Sequence, residues 1–148
     1  MTTNPALSDL QVLIGDWDME LSRTSFLPTP DAVAHGKLAV EWVDPGAAVV
    51  MRMGDASTPT ATWIIGRDEA HPDYTVLYTD DRGYSRVYGM TFADRRWQIA
   101  RTTPEFTQRF RAEVAADGST VDGEWQKSYD SGVTWEHDFD VRYTRVDS

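Results

Sequence analysis

The chain has 148 residues, with 24 acidic against 14 basic side chains and a formal net charge of −10; 41% of it is hydrophobic, and it holds six Trp, six Tyr and no Cys. That length suits one domain over residues 1–148, and the charge speaks against nucleic acid or anionic membranes as partners. The lack of cysteine excludes a disulfide framework and a thiolate nucleophile.

Residues 1–8 show neither the basic nor the apolar stretch of a secretory signal, and no apolar run reaches the ~20 residues that span a bilayer. The expected location is the cytoplasm. Ser8 reads as the N-cap of a short helix carrying Leu10, Val12, Leu13 and Ile14, ended by Gly15. Ten strands follow, expected at 16–26, 36–43, 47–54, 60–67, 73–80, 84–93, 96–102, 106–115, 120–129 and 135–145. Turn chemistry marks the joints: Pro28 and Pro30, Asp44-Pro45-Gly46, His71-Pro72-Asp73, Asp80-Asp81-Arg82-Gly83 and Asp117-Gly118. No second helix is long enough for a parallel crossover, so nearest-neighbour antiparallel pairing is expected. The fold class is all-β: a single up-and-down β-barrel of about ten strands with a short N-terminal helix.

The two faces separate by period-two alternation. Trp17, Met19 and Leu21 alternate with Asp16, Asp18 and Glu20. In the last strand Trp135, His137, Phe139, Val141, Tyr143 and Arg145 alternate with Glu136, Asp138, Asp140 and Arg142. The apolar face also carries polar groups: Arg86 between Tyr84 and Tyr88, then Arg101, Gln108, Lys127 beside Trp125, and His137. A buried cation needs a carboxylate, a ligand anion or water, and no inward Asp or Glu is evident in the pattern. The functional reading is a cavity for an apolar or aromatic, anionic ligand, lined by Tyr78, Tyr84, Arg86, Tyr88, Arg101, Gln108, Trp125, Lys127 and His137. The plainer reading has the long side chains snorkelling to the barrel mouth. Arg109 and Arg111 alternate the other way and are expected in exposed cross-strand pairs with Asp122 or Glu124.

The three His residues lack metal-ligand spacing, and neither a Gly-rich phosphate loop nor a nucleophile elbow is present. No metal or cofactor is expected. Ser128-Tyr129-Asp130-Ser131-Gly132-Val133-Thr134-Trp135 fits the Ser-x-Asp-x-Gly-x-Thr-Trp box familiar from sialidases. Those enzymes repeat the box around a far longer propeller, and one copy here reads as a well-made turn between the last two strands.

Gly15-Asp16-Trp17 after a short helix, with Arg145 or Arg142 on the closing strand, resembles the signature of the calycin superfamily, which holds the lipocalins and fatty-acid-binding proteins. The layout looks most like bacterial lipocalin-like domains of about this length. The resemblance implies that Trp17 packs against Arg145 at the closed barrel end, as structural residues. It also implies a small-molecule ligand; the expected assembly is a monomer or homodimer. A second reading is an enzyme in the same barrel, a cyclase, isomerase or decarboxylase, using Tyr78, Tyr84, Tyr88 and Arg86 with His137 as base. Haem-binding nitrobindins are also ten-stranded barrels, though their longer N-terminal motif is not matched here; the third reading is haem carried by His137.

Overall fold

A computed structural model describes residues 4–24, 29, 31–43, 46–54, 59–101, 103 and 106–146. Ten antiparallel strands run in chain order: β1 (Gly15–Ser22), β2 (Ala34–Val43), β3 (Ala48–Gly54), β4 (Pro59–Gly66), β5 (Tyr74–Asp80), β6 (Ser85–Ala93), β7 (Arg96–Arg101), β8 (Thr107–Val114), β9 (Thr120–Ser128) and β10 (Glu136–Arg145). Each pairs with its neighbours, and β1 pairs with β10 to close the barrel, leaving no free sheet edge among the described strands. The turn expectations at Pro28, Pro30, Asp44 and Pro45 lie outside the described residues. No helix is long and apolar enough to cross a membrane among the described residues.

The N-terminal helix differs from its expected form. It is a 3₁₀ helix over Pro5–Leu13, capped by the Asn4 side chain, which accepts from the Ala6 amide at 3.0 Å. Pro5 supplies a preset φ where no amide donor is needed. Leu7, Leu10 and Leu13 are buried at a spacing of three, which falls on one face of a helix with three residues per turn. That spacing favours the tighter winding, and the buried stripe supports a helix longer than such segments usually are.

The helix plugs one end of the barrel. The Asn4 amide donates to Gly46 O at 2.9 Å, and Arg67 Nη1 donates to Ala6 O at 3.3 Å, tying the β2–β3 and β4–β5 connections beneath it. Trp17, 1% exposed, donates its indole N–H to Leu13 O at 2.9 Å. Opposite Trp17 in the ladder stands Arg145, whose guanidinium lies 4.2 Å from the Trp17 ring centroid. Arg145 also donates to Ile14 O at 2.7 Å, to Gly118 O at 3.2 Å and to Val12 O. Gly15 sits at φ +136°, and a Cβ there would meet Arg145 Nη1 at 2.6 Å. The glycine before Trp17 is therefore demanded by both backbone and space.

Candidate functional site

Beyond the plugged end, the barrel interior opens into a cavity of about 490 Å³, within the range usual for small-molecule sites. Period-two alternation puts its walls in place, because every second residue of each strand faces inward. Trp63 on β4, Tyr88 on β6, Phe110 on β8, Trp125 on β9 and Phe139 and Tyr143 on β10 supply an aromatic wall. Trp125 is its hub, with centroids 5.3 Å from Phe110, 5.9 Å from Trp63 and 6.3 Å from Phe139 in a stacked pair. Met19, Leu21, Leu38, Met51 and Met53 complete the apolar side.

Polar groups gather at the opposite end, where β5 turns into β6. The Asp80 carboxylate has a side chain only 3% exposed and accepts from Tyr78 Oη at 2.8 Å, Arg82 Nη2 at 2.6 Å and the Arg82 and Tyr84 amides. The Arg82 hydrogen bond first, then Tyr78 and the two amides, holds Asp80 well below the usual carboxylate range. Burial and the same carboxylate push the Tyr78 phenol up to about 12, so it stays a neutral donor at physiological pH. One residue pair inward, Gln108 Oε1 accepts from Tyr88 Oη at 3.0 Å and from Arg86 Nη1 at 3.3 Å. Burial raises the Tyr88 phenol as well, against the pull of Arg86. Arg86 otherwise lies 5.3 Å from the Tyr84 ring centroid, and among the described residues no carboxylate pairs with it.

Of the nine residues singled out from the sequence, Tyr78, Arg86, Tyr88, Gln108 and Trp125 line this cavity. The other four stand elsewhere. Tyr84 is 51% exposed in the mouth turn, flanked by Arg82 at 4.7 Å and by Arg86. Arg101 ends β7, half-buried opposite Gln108, and does not reach the cavity wall. Lys127 lies 3.8 Å from Asp138, both side chains largely buried, so an inward-reaching carboxylate exists after all.

His137 corrects the inner-face expectation most clearly. Gln126 and Trp125 are consecutive on β9, yet they face His137 and Phe139 on β10. Asp138 is thus an extra residue in a β-bulge, which turns His137 away from the inner face. His137 points outward with Nδ1 3.0 Å from Glu124 and Nε2 3.6 Å from Asp140. Trp135 likewise turns outward, under the Arg109 guanidinium at 3.9 Å. Glu124, His137 and Asp140 bring three potential cation ligands within 4.8 Å of one another. Arg23 already donates to Asp140, and the group reads as a surface ion-pair network. With His137 outside, neither a haem ligand nor a cavity base comes from it.

Arg109 bonds Gln126 at 2.5 Å, and Asp122 pairs with Arg142 at 2.6 Å instead of with Arg109 or Arg111. The Ser128–Trp135 segment does form the expected turn. Asp130 Oδ1 accepts from the Thr134 amide at 2.8 Å, Ser128 Oγ accepts from the Gly132 amide at 2.9 Å, and Trp135 packs 3.5 Å from a Cβ position on Gly132, whose φ is +90°.

Asp80 and Arg82 look like ordinary turn residues in the sequence, and the signal for Asp80 is its place beside Tyr78 and Tyr84 at a strand end. The alternation puts Tyr143 on the inner face but gives no sign of a role. Burial alone raises its phenol.

No protein-family model matches the chain, and no curated protein matches it in sequence. The chain is similar in structure to Rv2717c from M. tuberculosis, with a TM-score of 0.62 and 12% identity over 99% of this chain and 100% of that one. At that identity the likeness shows a shared barrel fold.

Proposed function

We propose that this barrel binds a small, largely aromatic or apolar acid, with its anionic group at Arg86 and Gln108 and its body against the Trp125 wall. The observation that carries this reading is Arg86: a cation on the cavity wall that meets a neutral amide and a phenol, with no carboxylate paired to it among the described residues. The nearby acid does not compete, because Asp80 is saturated by Arg82, Tyr78 and two amides. An incoming carboxylate restores the missing pairing in a low-dielectric site. Gln108 is held by Tyr88 in the orientation that keeps its amide N–H₂ available to the same anion.

Membership of the calycin superfamily belongs to the same proposal. Its support is the Arg145–Trp17 stack at the closed end. The enzyme reading finds less support, since Tyr78 is a poor acid at about 12 and His137 faces outward. The test is displacement of 1-anilinonaphthalene-8-sulfonate fluorescence by naphthalene-2-carboxylate and by its methyl ester. The acid should displace the dye at roughly ten- to hundredfold lower concentration. Equal potency of acid and ester assigns Arg86 to the scaffold and ends the proposal.

A further inference from the structure

We infer that the ligand carries a second polar feature, a hydrogen-bond acceptor at the end remote from its acid, received by the Tyr143 hydroxyl deep in the barrel. This rests on the proposed binding of an apolar acid. Tyr143 stands two residues before Arg145, toward the plugged end, whereas Arg86 stands beside the mouth turn. A ligand filling the cavity between them meets both.

Among the tyrosines lining the cavity, Tyr78 donates to Asp80 and Tyr88 to Gln108. Among the inward tryptophans, Trp17 donates to Leu13 O, Trp63 to Met53 Sδ and Trp97 to Met90 Sδ. Tyr143, 6% exposed, has no hydrogen-bond partner among the described residues, and neither does the Trp125 indole N–H. Among the described residues no side-chain polar atom is both sealed off and unpartnered. The Tyr143 hydroxyl and the Trp125 N–H therefore open onto the cavity that both residues line.

Buried donors are rarely left unspent in a folded protein, and water or a ligand oxygen must meet them. The Trp125 N–H only donates, and the Tyr143 phenol is neutral, so both ask for an acceptor. A ketone, ester or ether oxygen on a flat ring system fits that demand and the aromatic walls together. The ligand class is an elongated aromatic acid with a distal carbonyl or ether.

The test uses 4′-acetylbiphenyl-4-carboxylate and 4′-isopropenylbiphenyl-4-carboxylate, nearly equal in shape and differing in one oxygen, titrated by calorimetry into wild type and Tyr143→Phe. In wild type the acetyl ligand should bind about three- to tenfold tighter, and in Tyr143→Phe the two should bind alike. The melting temperature of Tyr143→Phe should match wild type, because the lost hydroxyl bonds nothing in the fold. Equal binding by wild type, a preference that survives in Tyr143→Phe, or a drop of several degrees in melting temperature overturns the inference. Biphenyl-4-carboxylate and its methyl ester serve as the reference pair. If the acid is favoured there while the acetyl group adds nothing, this inference alone fails. If the acid shows no advantage over its ester, or none of these acids binds, the binding proposal fails with it.

Discussion

The two ends of the barrel treat an arginine in opposite ways. At the plugged end Arg145 spends its guanidinium on the carbonyls of Val12, Ile14 and Gly118 and lies 4.2 Å from the Trp17 ring centroid. At the mouth Arg86 meets, among the described residues, the Gln108 amide oxygen, the Tyr88 phenol and the Tyr84 ring at 5.3 Å, all of them neutral, and it lines the open cavity. Both residues alternate inward from a strand, and both look alike in the sequence. The difference is in what surrounds them: one cation is saturated by carbonyls, and the other has no carboxylate among the described residues, which is what makes it the ligand site of the proposal.

The largest effect should come from removing the platform at the plugged end. Trp17→Ala deletes a 1%-exposed indole and its bond to Leu13 O, and should cost roughly 3–5 kcal/mol in urea-unfolding free energy. A loss under about 1 kcal/mol would show that the helix closes the barrel without it. Arg145→Met keeps apolar bulk over Trp17 but strips three carbonyls of their donor, so about 2 kcal/mol should be lost. At the other end Arg86→Met should move stability by less than about 0.5 kcal/mol, since it breaks one long bond to a neutral amide.

A smaller effect separates the turns from both ends. Thr134 and Ser128 hold the Asp130 carboxyl down to about 2, and Arg82 with its companions holds Asp80 lower than usual as well. Unfolded, such carboxyls take up protons near pH 4. Between pH 4 and 2 the unfolded chain then holds more protons than the folded one, so stability falls as pH falls through that window and is fully present above it. Melting temperatures from pH 6 to 2.5 should trace this loss, and Asp130→Asn should flatten the acid limb. A variant curve parallel to wild type would remove Asp130 from the account.

Much of the plan was legible because it rests on short-range rules. Period-two alternation and turn residues give ten strands within a few residues of those observed, and Gly15-Asp16-Trp17 with Arg145 foretells the plugged end. The Ser128–Trp135 box reads directly as a turn. What escaped is what a single extra residue does. The bulge at Asp138 leaves no mark in composition, yet it turns His137 and Trp135 outward and gives Lys127 its acid. The helix escaped for a related reason: Ser8 is a good cap by type, but Asn4 before Pro5 is the better one, and the Leu7-Leu10-Leu13 spacing needed the third dimension to be recognised as 3₁₀. Donor accounting at Tyr143 and Gln108 is likewise a property of distances, which no alternation pattern carries.

The claim that one arginine serves the fold and the other the ligand is tested most directly by crossing the two variants with one ligand pair. Biphenyl-4-carboxylate and its methyl ester are titrated by calorimetry into wild type, Arg86→Met and Arg145→Met, with melting temperatures taken on the same samples. The account predicts that Arg86→Met keeps its melting temperature and loses the ten- to hundredfold preference for the acid, while Arg145→Met melts lower and keeps that preference. A preference for the acid that persists in Arg86→Met, or one that disappears in Arg145→Met, would contradict it.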